Sequence, residues 1–109
     1  MVLTRHFRET VARRIQSDAR FRRALLIEAV ESLLASDLVT GKALLRDYIN
    51  ATLGFEGLAE VLGKDSKSIH RMLGPKGNPR AENIFAVIKA LQDNDDVRLQ
   101  VKISKPQAA

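Results

Sequence analysis

The chain has 109 residues, 45% of them apolar, with a formal net charge of +5 and a sequence pI of about 10.0. That is the length of a single domain, expected here over 1–109, with enough apolar matter for a modest helical core. There is no cysteine, which excludes disulfides and thiolate metal sites; His6 and His70 stand in separate segments, and no metal or cofactor is expected.

The first predicted helix covers Thr4 to Gln16. Leu3, Phe7, Val11 and Ile15 recur every fourth position, a narrow apolar stripe flanked by Arg5, Arg8, Arg13 and Arg14. Those arginines read equally well as a solvated face and as a second patch for phosphates or an acidic partner. The Arg-rich start has some of the character of an organelle transit peptide, but Glu9 and Asp18 interrupt it and serine is scarce. No apolar run approaches the about 18 residues that a membrane span needs, so a soluble, cytoplasmic protein is expected.

Asp18 is placed to cap a second helix from Ala19 to Ala35, where Phe21, Leu25, Ala29 and Leu33 recur at the same interval. Ser36-Asp37 breaks the chain, and Asp37 caps a third helix from Leu38 to about Leu53, with Leu44, Leu45, Tyr48, Ile49 and Leu53 on its apolar side. Gly41 marks either a close helix-helix approach or a weak first turn. So short a link predicts antiparallel packing of the second and third helices. Residues 1–53 thus form an N-terminal helical half, and Gly54 is expected to end the third helix.

Residues 54–92 form the central unit. Phe55, Leu58, Ala59 and Leu62 share one side of a two-turn helix that Gly63 ends. Asp65 then stands at a helix N-cap, its carboxylate able to accept from the N–H groups of Lys67 and Ser68. The next helix, Ser66 to Leu73, buries Ile69 and Leu73 and turns Ser66, Lys67, His70 and Arg71 outward. Helix, tight turn, helix with a basic outer face is the layout of a helix-turn-helix reader of the DNA major groove. GPKGNPR follows, a turn rich in glycine and proline, and then a helix from Ala81 to Gln92 with Ile84, Val87, Ile88 and Leu91 inward and Phe85 at its margin.

After Asp93-Asn94-Asp95-Asp96 the period changes. Val97, Leu99, Val101 and Ile103 alternate with Arg98, Gln100, Lys102 and Ser104, which predicts a half-buried strand over 97–104. No second alternating segment exists to pair with it, so the partner is expected from another chain, most simply the same strand of a second copy in a homodimer. The expected fold is mainly α, a helical bundle with a C-terminal β-strand that pairs between chains.

Charge is unevenly divided. Residues 1–23 hold seven arginines against Glu9 and Asp18, a net of +5, whereas residues 24–63 hold Lys42 and Arg46 against six acids, a net of −4. Residues 64–80 return to +4, with Lys64, Lys67, Arg71, Lys76 and Arg80 against Asp65. One positive block therefore coincides with the reading helix, where phosphate neutralisation and counterion release would act.

GFEGLAEVLGKDSKSIHRMLGPKGNPRAENIFAVIKALQ, followed by the alternating segment, resembles the lambda-repressor-like, or Xre-type, helix-turn-helix proteins, and among these the addiction-module antidote (antitoxin) regulators. The residues that carry the resemblance are Leu58-Ala59-Glu60, Gly63, Ser68-Ile69, Gly77-Asn78-Pro79 and Ala90-Leu91; Arg80 departs from it, since a small residue usually opens the last helix there. The resemblance implies a transcriptional repressor of its own operon, with double-stranded DNA and a RelE-like toxin as partners. Phage repressors and solitary regulators share the pattern. It also implies base contacts from Ser66, Lys67, His70 and Arg71 and backbone contacts from Lys64, Ser68, Lys76, Asn78 and Arg80. Arg71 can fork onto guanine O6 and N7 and Lys67 can donate to the same edge. RelE-like toxins are commonly basic, which implies the acidic middle, Glu28, Glu31 and Asp47, as their contact surface.

Two other classes of function bear on these residues. An enzyme would need a nucleophile, a base and an orienting group on one pocket, and neither the histidines nor Glu56 and Glu60, one turn apart on one helix, supply them. A helical protein-interaction module, binding through residues 1–53 or the C-terminal segment without specific DNA contact, is the alternative to a regulator.

Overall fold

The computed structural model describes residues 5–106 and consists of helices joined by short turns. They are α1 (Arg5–Ser17), α2 (Ala19–Leu34), α3 (Leu38–Ala51), α4 (Gly54–Leu62), α5 (Ser66–Met72) and α6 (Ala81–Asn94). Leu3 and Thr4, expected at the start of the first helix and its stripe, lie outside the described residues, as do residues 107–109. No described helix is long and apolar enough to cross a membrane.

Each early boundary has a local cause. Asp18 caps α2 by accepting from the N–H groups of Arg20 and Phe21, each at 3.1 Å, and Asp37 caps α3 by accepting from Thr40 N–H at 3.1 Å. α2, α4 and α6 end alike, with one left-handed residue, Ser36, Gly63 or Asp96, whose following N–H reaches back to close the last turn. Asp37 N–H donates to Ser32 O at 2.9 Å, Lys64 N–H to Ala59 O at 3.0 Å and Val97 N–H to Gln92 O at 3.0 Å. The third helix stops at Ala51, short of the expected Leu53; Thr52 N–H bonds back to Ile49 O, and Gly54, at φ +73°, opens α4 instead of ending α3.

α2 and α3 lie against each other over most of their length and form the frame. Gly41 sits at their closest approach, where an added Cβ would come within 2.6 Å of Leu33 Cδ2 and 3.3 Å of Ala29 O, so the close-approach reading of this glycine is the right one. The core joins this hairpin to the central unit: Leu26, Ala29, Leu45, Tyr48 and Ile49 pack with Phe55, Leu58, Ile69, Leu73, Val87 and Leu91. Burial of each large side chain is worth about 1.5 to 3 kcal/mol. α1 is buried most deeply toward its C-terminal end. Ile15 is buried and Val11 half-buried, but Phe7 is 51% exposed.

The C-terminal segment corrects an expectation. There is no β-strand among the described residues; 97–106 runs without regular secondary structure, so the mainly α class stands and the strand does not. A strand needs a neighbour for its backbone donors and acceptors, and the fold supplies a side chain instead: Leu99 N–H donates to Gln92 Oε1 at 2.7 Å. Of the four residues assigned to a dimer strand, Leu99 packs against the core and Val97 is half-buried, while Val101 and Ile103 are 92% and 91% exposed. The alternation thus places Leu99 over the core and then loses contact with the protein.

Candidate nucleic-acid interface

α4, the 63–65 turn and α5 follow one another as helix, tight turn and helix, and local sequence explains their geometry. Gly63 adopts φ +65° at the end of α4, and Asp65 caps α5 by accepting from Lys67 N–H at 3.2 Å. The expected second side-chain acceptance, from Ser68, is not made; Ser68 N–H bonds to the Asp65 backbone oxygen at 3.0 Å. Ile69 and Leu73 are fully buried and hold α5 to the core. Their side faces in; Lys67, Ser68, His70 and Arg71 are exposed, and Ser66 is half-buried.

Five cations, Lys64, Lys67, Arg71, Lys76 and Arg80, are exposed along this helix and the loop that follows it, and among the described residues none has an ion-pair partner. Lys64, Ser68, Arg71, Asn78 and Arg80 converge on one open hollow, completed by Asn83 of α6 and floored by Ile69, Met72, Gly77 and Pro79. The fold therefore brings four of the expected backbone-contact residues beside Arg71. Ser66, Lys67, His70 and Lys76 lie outside that hollow. Arg80 is the N-cap of α6 and makes no side-chain cap bond, so its guanidinium is free to line it.

His70 has a particular position. Its ring stacks on Phe55 of α4, with centroids 3.8 Å apart and planes 18° from parallel. The imidazole bridges the two helices of the motif, a packing role that an expectation of simple outward projection did not include.

Two cations that bond to the end of α5 and the loop after it were missed because they belong to another helix. Lys42 of α3 is only 4% exposed, and its Nζ donates to Gly74 O at 2.9 Å and to Gly77 O at 2.7 Å. One turn later Arg46 Nη1 donates to Leu73 O. Together they cap the C-terminal end of α5 and the loop beyond it with positive charge, the sign that the carbonyl end of a helix favours. A signal was present: Lys42 shares a helical face with Leu45 and Ile49, where a cation is out of place unless it has acceptors.

The N-terminal arginines divide in a similar way. Arg22 is inside, donating to Asp95, Ile15 O and Gln16 O; Arg14 lies over the Phe21 ring at 4.5 Å; Arg5 pairs with Glu9 at 3.4 Å. Arg8 and Arg13 remain exposed and outside these pairings. Comparison with protein-family models, with curated proteins and with solved structures finds no match.

Proposed function

We propose that the chain is a sequence-specific DNA-binding regulator that enters the major groove with α5. The observation that carries this reading is the basic surface: Lys64, Lys67, Arg71, Lys76 and Arg80 are exposed and, among the described residues, without ion-pair partners, on a helix, turn and helix whose other side is core. Arg71 and Lys67 read base edges, and Lys64, Ser68, Lys76, Asn78 and Arg80 hold phosphates, where charge supplies affinity without sequence preference. No catalytic role is proposed for the site. Two copies related by a two-fold axis read an inverted repeat with half-sites about one helical turn apart. A hydroxyl-radical footprint on the duplex upstream of the protein's own reading frame should show two protected patches with that spacing; uniform cleavage at saturating protein would overturn the reading.

Within it, the role of antitoxin in a cytoplasmic toxin-antitoxin module, repressing its own operon, is the form we favour over a solitary or phage-type repressor. Residues 24–41 support a protein partner as well as DNA: they contain no lysine or arginine, and Glu28, Glu31 and Asp37 are exposed beside Ile27, Leu34, Leu38 and Val39. An acidic, apolar surface of this kind suits a basic protein such as a RelE-like toxin. A small basic product from an adjoining reading frame, growth-inhibiting alone and neutral when co-expressed with this chain, is the expected result. Absence of such a frame would leave the solitary regulator.

A further inference from the structure

Lys42 carries a buried ammonium that has no ion-pair partner among the described residues. Its Nζ is held by two backbone carbonyls, Gly74 O at 2.9 Å and Gly77 O at 2.7 Å, from the loop that follows α5. A buried charge is retained at a cost unless its donors are filled, and here the acceptors come from a segment that makes no regular structure. Loop 74–80 is otherwise held by few contacts of its own: Gly77 N–H bonds to Gly74 O at 3.0 Å, and Gly77 lies so close to the Arg71 and Met72 carbonyl oxygens that a Cβ there has no room. Arg46 holds Leu73 O, immediately before the loop. Lys76, Asn78 and Arg80 are all exposed on the outer side of the segment that these bonds fasten.

We propose that Lys42, with Arg46, is a positioning residue for the DNA interface: it latches the α5 end and the 74–80 loop to α3, so that the loop's cations meet phosphates while α5 lies in the groove. Lys42 itself, being buried, touches no DNA. The inference rests on the DNA-binding reading for its functional half, but the latch itself can be tested without DNA. A positioning residue of this kind acts on affinity that is independent of sequence, because the groups it places, Lys76 and Arg80, are phosphate contacts. Each phosphate contact contributes about 0.9 to the slope of log K against log salt concentration.

The test uses the full chain with Lys42→Met, which keeps the stem of the side chain and removes the charge, and a core control, Val87→Ala. Amide hydrogen exchange in the free protein is measured across 74–80, and binding to the upstream duplex and to a random duplex of equal length is measured at several salt concentrations. Lys42→Met is expected to speed exchange at Gly77 while the α2–α3 core stays protected. It should also weaken both duplexes by about tenfold or more and lower the salt slope by about 2. Val87→Ala is expected to lose stability with an unchanged salt slope. If Lys42→Met fails to fold, Lys42→Arg, which keeps the charge but changes its reach, supplies the same readouts. Unchanged exchange at Gly77 would overturn the latch, and faster exchange with an unchanged salt slope would overturn its role at the DNA interface. Altered exchange in a protein whose wild-type form binds neither duplex would leave the latch standing as a structural device and sink the DNA reading.

Discussion

Arg22 and Asp95, 73 positions apart in the chain, are joined at the base of the bundle: Arg22 Nε donates to Asp95 Oδ1 at 3.0 Å and Nη2 lies 2.9 Å from the same oxygen. Arg22 Nη1 also donates to Ile15 O and Gln16 O at the end of α1, so one guanidinium ties α1, α2 and the cap of α6. The hydrogen bond that Arg22 donates to Asp95 raises the Arg22 pKa above its ordinary value against the opposing effect of burial. Arg23 adds a longer contact, 3.5 Å, to the other carboxylate oxygen. Replacing Asp95 by Asn should destabilise the fold by about 3 kcal/mol, because a largely buried guanidinium loses its counter-charge. Urea unfolding measures it, and a loss under about 0.5 kcal/mol, the range of exposed pairs, would show that the tie does not hold the bundle together.

At the interface, Arg71→Ala should cut the ratio of operator to random binding, with a cost of about 1 to 3 kcal/mol on the operator alone. Lys76→Ala should weaken both duplexes alike and lower the salt slope by about 1. Anisotropy titrations on both duplexes separate these outcomes. Equal losses on the two duplexes for Arg71→Ala would remove it from the base-reading set.

The stack of His70 on Phe55 leads to a different pair of substitutions. His70→Phe keeps an aromatic ring against Phe55 and should preserve stability and sequence preference, whereas His70→Ala should cost about 1 kcal/mol of stability. A base-reading histidine would behave otherwise: His70→Phe would then change which bases are preferred at one position of the operator.

Asp37 supplies a pH dependence. The Thr40 hydroxyl and N–H hold its carboxyl below the usual aspartate value. A lowered pKa in the folded state contributes stability that is present above the unfolded-state pKa of about 3.9 and disappears as pH falls through the lower, folded value. Thermal denaturation of Asp37→Ala beside the natural chain should therefore show a gap at pH 7 that narrows on acidification below about pH 4. A gap that is constant with pH would assign the cap's effect to something other than the carboxylate.

What could be read from the sequence was local. Asp18, Asp37 and Asp65 announce helix starts because each cap bond spans two or three residues, and Gly63 announces a left-handed stop because the requirement lies in one residue's φ. Ile69 and Leu73 were legible as core from helical spacing alone. The latch from Lys42 and Arg46 to the α5 end was not, because it joins segments more than twenty-five positions apart whose approach depends on how α3 packs. Arg22 looked like one more arginine on a basic helix for the same reason. The C-terminal alternation misled in the opposite sense: period two reports which residues share a side, and whether a strand forms depends on a partner that 97–104 lacks among the described residues.

The central claim is specific DNA recognition by α5 and its loop, and one titration tests it most directly. Fluorescence anisotropy of the purified chain against the duplex upstream of its own reading frame, beside a random duplex of equal length, is measured at two salt concentrations. Binding to the upstream duplex about a thousandfold tighter than to the random one, with both weakening as salt rises, is the predicted result. Absence of binding to either duplex at low salt would contradict the account and leave the exposed acidic face of α2 and α3 as the surface through which the protein works.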